Sequence, residues 1–344
     1  MKYLLTLIVA LLLISCGAHR QVSIASTRPA DIDVSSNIQN LLIVNRTDGS
    51  RNILTTVEGI LTGEMLHEDR AAVQAFIGGL NRELQYSERY QTRVASEILP
   101  GNSITSSFPR QLDWYTVEGL CRQYRSDALL AIEVLDTDFI ITQTKEMIEV
   151  KDKKGNKVKV AEYTAEGVAN MRIGIRFYDP GNRSLIDQDM YRRTNTWTAS
   201  ARTEADALAH LISKAGASSY LANKVGANYA SRIAPMPINI NRSFVGKAKK
   251  SPEVALGARY SDVGQWDQAV LVWERGLKTA PQKEAGILSL NMAIAYEIMG
   301  DIDQAIHWSQ VSYTTYGNKK AKKYYHDLLQ RLDNEARADQ QLQL

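Results

Sequence analysis

The feature that most constrains the fold is an internal repeat in the last third of the chain. Gly264-Gln265-Trp266-Asp267-Gln268-Ala269 aligns with Gly300-Asp301-Ile302-Asp303-Gln304-Ala305, and both segments lie between stretches with apolar residues at helical spacing. A glycine at this point ends the first helix of a pair, because a left-handed residue is needed there. The repeat therefore predicts two consecutive helical hairpins.

These hairpins resemble tetratricopeptide repeats, whose units of about 34 residues stack on one another. The first copy matches that family's signature at Leu256, Gly257, Tyr260, Gly264, Trp266, Ala269, Trp273, Gly276 and Pro281, with Gly276 in place of the usual Ala. The second copy carries Met292, Ala293, Tyr296, Gly300, Ala305 and Ser312. The resemblance implies a module over residues 246–344, with repeats at about 250–317 and a capping helix, and it implies that Trp266 and Trp273 are buried.

The candidate partner-binding residues come from the same module. In clamp-type members of the family, Lys and Asn on the first helices hold a partner's terminal carboxylate. The corresponding positions here are apolar: Val254, Ala258, Leu290 and Ile294. They form either an apolar groove for a partner's helix or a face packed against the α/β domain that precedes the repeats in this chain. The lysines of the capping helix either contact an anionic partner or form its solvated face: Lys319, Lys320, Lys322 and Lys323.

Upstream of the repeats, buried strands alternate with helices. Apolar runs begin at Leu41 and at Ala128, and residues at helical spacing between them predict helices over 53–80 and 114–120. From Phe139 to Thr198 the period is two, with hairpin turns at 153–156 and 179–182. A capping box at Thr203 then opens one long helix that reaches Tyr229. These patterns predict an α/β domain with a mixed sheet over residues 38–245, and an α+β chain as a whole.

This order of elements is similar to the amino-terminal domains of envelope α/β lipoproteins, among them the curli secretion and TolB-like groups. The resemblance rests on the strand that opens at Leu41 and on the closing stretch from Val225 to Pro235. An oligomeric export subunit of that kind would need alternating apolar runs of about ten residues for membrane-inserting hairpins. Charged residues such as Lys145 and Glu149 interrupt the runs in this chain.

The amino terminus predicts a lipid anchor. Lys2 precedes an apolar run that is too short to span a bilayer and is typical of a secretory signal. Leu13-Ile14-Ser15-Cys16 resembles a bacterial lipobox, which implies cleavage after residue 15 and lipidation of Cys16. An ordinary or uncleaved signal is the alternative. Residues 16–37 are polar and without a period, and we interpret them as a tether.

The search for chemistry yields little. Asp136 and Asp138 follow a buried strand and point to one side, where they either share a metal or a proton or form a solvated edge. Cys121 lies among apolar residues at helical spacing, which favours a core position. The sequence predicts no cofactor and no metal site. With a formal charge of +3, which falls when Lys2 is removed, it gives no argument for nucleic-acid binding.

The sequence thus predicts a lipid-anchored envelope protein that acts as a non-enzymatic interaction or assembly factor through its repeats. Taken whole, the chain resembles the tetratricopeptide lipoproteins of Bacteroidetes-type bacteria, a resemblance that implies no biochemical activity. The residues after Cys16 lack both the Asp linked to inner-membrane retention and the acidic run linked to surface export. By analogy, the periplasmic face of the outer membrane is the expected location, with an envelope protein as partner. The alternative is an enzyme or small-ligand sensor in the α/β domain, near Asp136 and Asp138.

Overall fold

The computed structural model describes residues 19–47, 63–101 and 107–342. These residues form two compact units. The α/β unit comprises Ala30–Met236, and the helical unit comprises the described residues up to Pro29 together with Pro237–Gln340. The α+β class predicted from the sequence is confirmed. Cys16 and the predicted signal lie outside the described residues, as does the part of the first predicted helix between residues 53 and 61.

The elements follow the chain in this order: β1 (His19–Arg28), β2 (Asn40–Asn45), α1 (Gly63–Ser87), β3 (Gln91–Ile98), α2 (Trp114–Tyr124), β4 (Ala128–Lys151), β5 (Lys157–Asp179), β6 (Ser184–Ala201), α3 (Glu204–His210), α4 (Lys214–Ile233), β7 (Met236–Val245), α5 (Pro252–Asp262), α6 (Trp266–Leu277), α7 (Gln282–Met299), α8 (Ile302–Thr314) and α9 (Lys319–Leu342).

The sheet of the α/β unit is mixed, as the sequence predicts. Its strand order is β3-β2-β4-β5-β6. β2 runs parallel to both of its neighbours, whereas β4, β5 and β6 are antiparallel. Leu41 and Ile43 share a core with α1 and α4, while Leu42 and Val44 pack with α2 on the opposite face. Burial of both faces explains why β2 is a continuous apolar run.

The two predicted hairpins are confirmed, but their strands are longer than the turn signals suggest. β4 pairs with β5 from Leu129 to Lys151, and β5 pairs with β6 up to Ala201. Asp136 and Asp138 therefore lie within a strand, and not where one ends. The strand continues because antiparallel pairing with β5 satisfies its backbone beyond the last residue that pairs with β2.

The long helix predicted from Thr203 is in fact two helices. Thr203 caps α3 by accepting the Asp206 amide, as the capping box predicts. Leu211 is extended, however, and the hydroxyl of Ser213 caps α4 at the Gly216 amide. The side-chain hydroxyl of Ser213 thus competes with helix continuation, which is the usual effect of serine away from helix ends.

The helical unit contains the two predicted hairpins, α5/α6 and α7/α8, followed by α9. Gly264 and Gly300 have φ values of 77° and 86°, the left-handed conformation expected at these positions. A Cβ on Gly257 would lie 2.2 Å from the Trp273 indole nitrogen, so this glycine permits close helix packing. Trp273 is buried as predicted, whereas Trp266 is only half-buried.

The predicted tether is wrong for residues 19–28, which form β1 and pair with β7 in a two-stranded ribbon. The strand escapes a sequence reading because it is mostly polar and buries only Ile24. Its partner lies in a distant part of the chain, so no local hairpin signal marks it. Among the helices that the structure describes, none has the length and hydropathy to cross a membrane.

Candidate functional site

A cavity of about 540 Å³ opens on the helical unit. Its walls are the first half of α7, the connection between α8 and α9, and residues from β1 and β7. The lining residues are His19, Val245, Gln282, Lys283, Ile287, Leu290, Tyr316, Gly317, Asn318, Lys319 and Lys320. The volume lies within the range of roughly 300–1,000 Å³ that is typical of ligand pockets.

Hydrogen bonds fix β7 against α7 at the floor of the cavity. The Asn291 side chain accepts the Val245 amide at 3.1 Å and donates to the Val245 carbonyl at 2.8 Å. Asn291 is almost fully buried. A buried amide with both ends paired orders the groups around it, because leaving either end unpaired is costly. The floor is therefore a preformed surface.

The α8–α9 connection forms a second fixed wall. Gly317 has a φ of 72°, a conformation that suits glycine and lets the chain turn after α8. The Gly286 carbonyl then accepts the Ser312 hydroxyl at 2.7 Å and the Asn318 amide at 2.9 Å. A Cβ on Gly286 would lie 3.2 Å from that of Asn318, so the missing side chain permits the close approach.

The chemistry of the cavity combines an apolar floor with a basic rim. Val245, Ile287 and Leu290 supply the floor. Lys283, Lys319 and Lys320 are exposed at the rim, and none of the lining residues is acidic. Such a cavity favours an apolar group that carries negative charge beside it, since the lysines attract the charge and the floor excludes water.

The structure brings three of the predicted partner-binding residues together, namely Leu290, Lys319 and Lys320. Lys322 and Lys323 are exposed farther along α9 and do not line the cavity, and the Lys322 ammonium lies 5.9 Å from the centre of the Tyr313 ring. Cys16, the predicted lipidation site, lies outside the described residues.

The prediction of an open apolar groove at Val254, Ala258 and Ile294 is wrong. All three are buried, at 0%, 1% and 2% exposure, within the core of the helical unit. Phe244 belongs to the same core and contacts Trp273 edge to face, with ring centres 6.1 Å apart. The apolar face is filled from within the unit, because burying it next to β7 removes it from water.

One buried carboxylate joins the elements around the cavity. Glu297 on α7 accepts two bonds from Arg242 of β7, at 2.7 and 2.8 Å, and one from Arg331 of α9 at 3.0 Å. It also accepts the Tyr324 hydroxyl. Burial alone would raise the pKa of Glu297, but the hydrogen bonds from Arg242 and Tyr324 outweigh it and lower the pKa.

The α/β unit contains a second buried carboxylate, Glu133 on β4. It accepts from Arg46 at 2.7 Å, from the Tyr178 hydroxyl at 2.7 Å and from Arg176 at 2.5 Å. The register of β4 shifts next to this residue, as at a β-bulge that turns a side chain inward. Because Glu133 is fully buried and its oxygens are occupied by these three donors, we assign it a structural role.

The predicted candidates for catalysis are not assembled into a site. Asp136 Oδ2 lies 3.9 Å from Arg172 Nε in a half-exposed pair, and Asp138 is exposed. Burial raises the pKa of the Cys121 thiol to about 12, which makes it a poor nucleophile. Within the described residues, no three His, Cys, Asp or Glu side chains are grouped to hold a metal.

Some residues of the site are not predicted from the sequence: Lys283, His19, Val245 and the buried carboxylates Glu133 and Glu297. Glu133 and Glu297 carry a usable signal, because each is a single charge inside an apolar run, Ala131-Ile132-Glu133-Val134-Leu135 and Ile294-Ala295-Tyr296-Glu297-Ile298. Such a charge is buried only with partners. No comparable local signal marks Lys283.

Comparisons with known proteins identify domains of unknown function. Residues 38–244 match the domain of unknown function DUF8603, and residues 255–332 match the domain of unknown function DUF6340. No curated protein matches the chain.

Among solved structures, two dodecamers of PelC from Paraburkholderia phytofirmans are similar, one of them a point variant. Both are 12% identical; they cover 63% and 62% of this chain and 99% of their own, with TM-scores of 0.22 and 0.23. Scores this low carry no argument about fold, assembly or role.

Proposed function

Because this chain belongs to the DUF8603 family, a domain of unknown function, we propose a role from its own residues. The protein is a lipid-anchored component of the cell envelope that acts as a non-enzymatic interaction or assembly factor. Its helical unit binds the partner, and Cys16 holds the protein to the periplasmic face of the outer membrane. The lipobox-like residues Leu13–Cys16 support the anchor.

The observation that carries this proposal is the cavity with an apolar floor and a lysine rim. The partner that fits it is an envelope protein with an acidic residue beside apolar ones in an extended or helical segment. Attraction to three lysines speeds encounter and rejects basic segments, whereas burial on Ile287 and Leu290 supplies affinity. The repeat pattern around Gly264 and Gly300 supports a tetratricopeptide-like module, a class of fold that serves in protein binding.

The test is charge reversal at the rim. Lys283→Glu, Lys319→Glu and Lys320→Glu, combined in the full-length chain, should abolish recovery of the partner when the protein is isolated from membranes. The fold should be retained, because the three side chains are exposed. Lys153→Glu, Lys154→Glu and Lys159→Glu are the matched control, since these lysines are also exposed but lie on the β4/β5 hairpin.

Two outcomes would count against the proposal. If the rim variant recovers the same proteins as the parent, the cavity is not the binding site. If the control variant loses them instead, the partner binds the β4/β5 hairpin.

The second candidate is a small-ligand site in the α/β unit. A polar pocket of about 260 Å³ is lined by Gln39, Asn40, Glu88, Arg89, Tyr90 and Gln91. Asp136 and Asp138 belong to the same unit, and an enzyme site in that unit would use their carboxylates. A variant with Asp136→Ala and Asp138→Ala that folds and recovers its partner, yet fails to support the cell, would favour a function in the α/β unit over partner binding by the helical unit.

A further inference from the structure

A second group of lysines lies in the segment between β7 and α5. Lys247, Lys249 and Lys250 are all exposed. The segment is ordered by a β-bridge between Ala248 and Ser251, and the Ser251 hydroxyl donates to Glu253 at 2.8 Å. Three cations are thus presented to solvent on a short segment with a defined backbone.

This segment lies beside the first described residues of the chain. A Cβ on Gly246 would lie 3.1 Å from Cγ of Arg20, so Gly246 and Arg20 are in contact. Arg20 is itself fixed by Asp262, with Nε and Oδ1 3.0 Å apart. His19, the preceding residue, lines the cavity described above.

Cys16 precedes Arg20 by only four residues in the sequence. A chain spans at most about 3.6 Å per residue, so the Cα atoms of Cys16 and Arg20 are within about 14 Å of each other. If Cys16 carries the lipid, the lysines next to Arg20 are therefore held within a short distance of the membrane surface. A surface connected to the anchor by so few residues can touch the bilayer, where its charges lie closer to the headgroups than the screening length of about 8–10 Å at physiological salt.

The balance of charge around the segment is positive. Arg20 and the three lysines are basic, while Asp262 and Glu253 are the neighbouring carboxylates identified by their contacts with Arg20 and Ser251. Asp262 forms an ion pair with Arg20, so the positive charge of the three lysines determines the electrostatic potential on the solvent side.

We propose that Lys247, Lys249 and Lys250 form a membrane-contact surface for the anionic headgroups of phospholipids in the bilayer that holds Cys16. The inference rests on the lipid anchor of the proposed function. An acyl anchor fixes distance but leaves the protein free to rotate, whereas a basic surface beside it sets the orientation.

The test measures vesicle binding by a protein that lacks the acyl anchor on Cys16. The chain that begins at residue 16, with Cys16→Ser, contains every described residue and is incubated with vesicles of phosphatidylcholine, either pure or mixed with phosphatidylglycerol. Each lysine near an anionic surface strengthens binding roughly fivefold, so three should contribute roughly a hundredfold. We expect binding to the mixed vesicles alone, weakened by salt, and a loss approaching that factor when all three lysines become Gln.

Two further variants and a folding control accompany this measurement. Replacing the same lysines by Arg should retain binding, because charge and not side-chain identity is required. Replacing Lys283, Lys319 and Lys320 by Gln should reduce binding less than the first set. Circular dichroism melting of each variant shows whether it is folded.

The proposal is overturned if the Lys247, Lys249 and Lys250 variant binds like the parent, if pure phosphatidylcholine binds equally well, or if only the cavity lysines matter. Failure of the lipid anchor is a separate result, because it is read from fatty-acid labelling of Cys16 in cells.

Discussion

Replacing Glu297 by Gln tests the most concentrated set of interactions in the helical unit. The carboxylate is 1% exposed and joins three elements, through Arg242 on β7 and through Tyr324 and Arg331 on α9. Gln keeps the shape and one acceptor oxygen but removes the charge. Arg242 and Arg331 then lie beside each other without the anion that compensates them.

The magnitude follows from the burial of the pair. Removing one partner of a buried ion pair costs about 3–5 kcal/mol, since the remaining charge stays desolvated. Three charged or hydroxyl donors share Glu297, so we expect the upper part of that range. At about 1.4 kcal/mol per factor of ten, a loss of about 4–5 kcal/mol corresponds to an increase of roughly a thousandfold to a few thousandfold in the opening of α7 and α9.

Hydrogen exchange followed by mass spectrometry is the appropriate assay, because it reports each unit separately. Peptides from α7 and α9 should exchange faster in the Glu297→Gln variant by that factor, up to the limit set by global unfolding. Peptides from α1 and α4 should be unchanged. Glu335→Gln is the control, since Glu335 also accepts from Arg331, at 2.8 Å, but is partly exposed; it should cost at most about 1 kcal/mol.

The same residue predicts a pH dependence. The pKa of Glu297 is lower in the folded unit than its ordinary value of 4.5. The carboxylate therefore stabilises the fold fully above about pH 4.5, and this contribution is lost as the pH falls through the lower, native pKa. The Gln variant lacks the contribution at every pH. If hydrogen exchange in the parent and the variant is the same at neutral pH, or differs only below pH 4, Glu297 does not stabilise the contacts among α7, β7 and α9 as argued.

The remaining predictions concern the anchor and the repeats. Cys16→Ser should abolish fatty-acid labelling and release the protein from membranes apart from retention by a partner, and equal labelling of variant and parent would exclude a lipoprotein. Trp273→Ala should destabilise the helical unit by about 3–5 kcal/mol, because a fully buried indole leaves a cavity beside Gly257; an unchanged unfolding midpoint in urea would contradict the packing. Gly300→Val should also destabilise that unit, since a β-branched residue is strained at a φ of 86°. The control Met299→Val, at a helical and partly exposed position, should lower the stability of the unit less.

Local patterns predicted much of the fold. The helical hairpins follow from Gly264 and Gly300, whose left-handed conformation is needed wherever a tight helix ending occurs. The buried strand β2 follows from its apolar run, and the β4/β5 hairpin follows from its alternation and turn residues. In each case the physical cause acts between residues close in sequence, so the signal is visible without the tertiary structure.

What could not be predicted depends on distant contacts. The residues of β1 read locally as a tether because the partner strand, β7, lies beyond the whole α/β unit in sequence. Leu290 and Lys319 were found as candidates, but their common cavity also needs Val245 and Lys283, which no motif links to them. The burial of Val254 is unpredictable for the same reason, since no local pattern shows that Phe244 shares its core.

The pairing of β1 with β7 makes the helical unit discontinuous in sequence, with the α/β unit inserted between its two strands. During synthesis or export from the amino terminus, β1 emerges first and has no partner strand until β7 follows. The α/β unit has all of its strands before β7 emerges. The helical unit can close only after the last third of the chain arrives. A fragment that starts at Pro252 would therefore lack Phe244 and Val245 and leave its apolar face uncovered. A chain from which the α/β unit is deleted, so that a short linker joins β1 directly to β7, should instead fold as a self-contained helical unit.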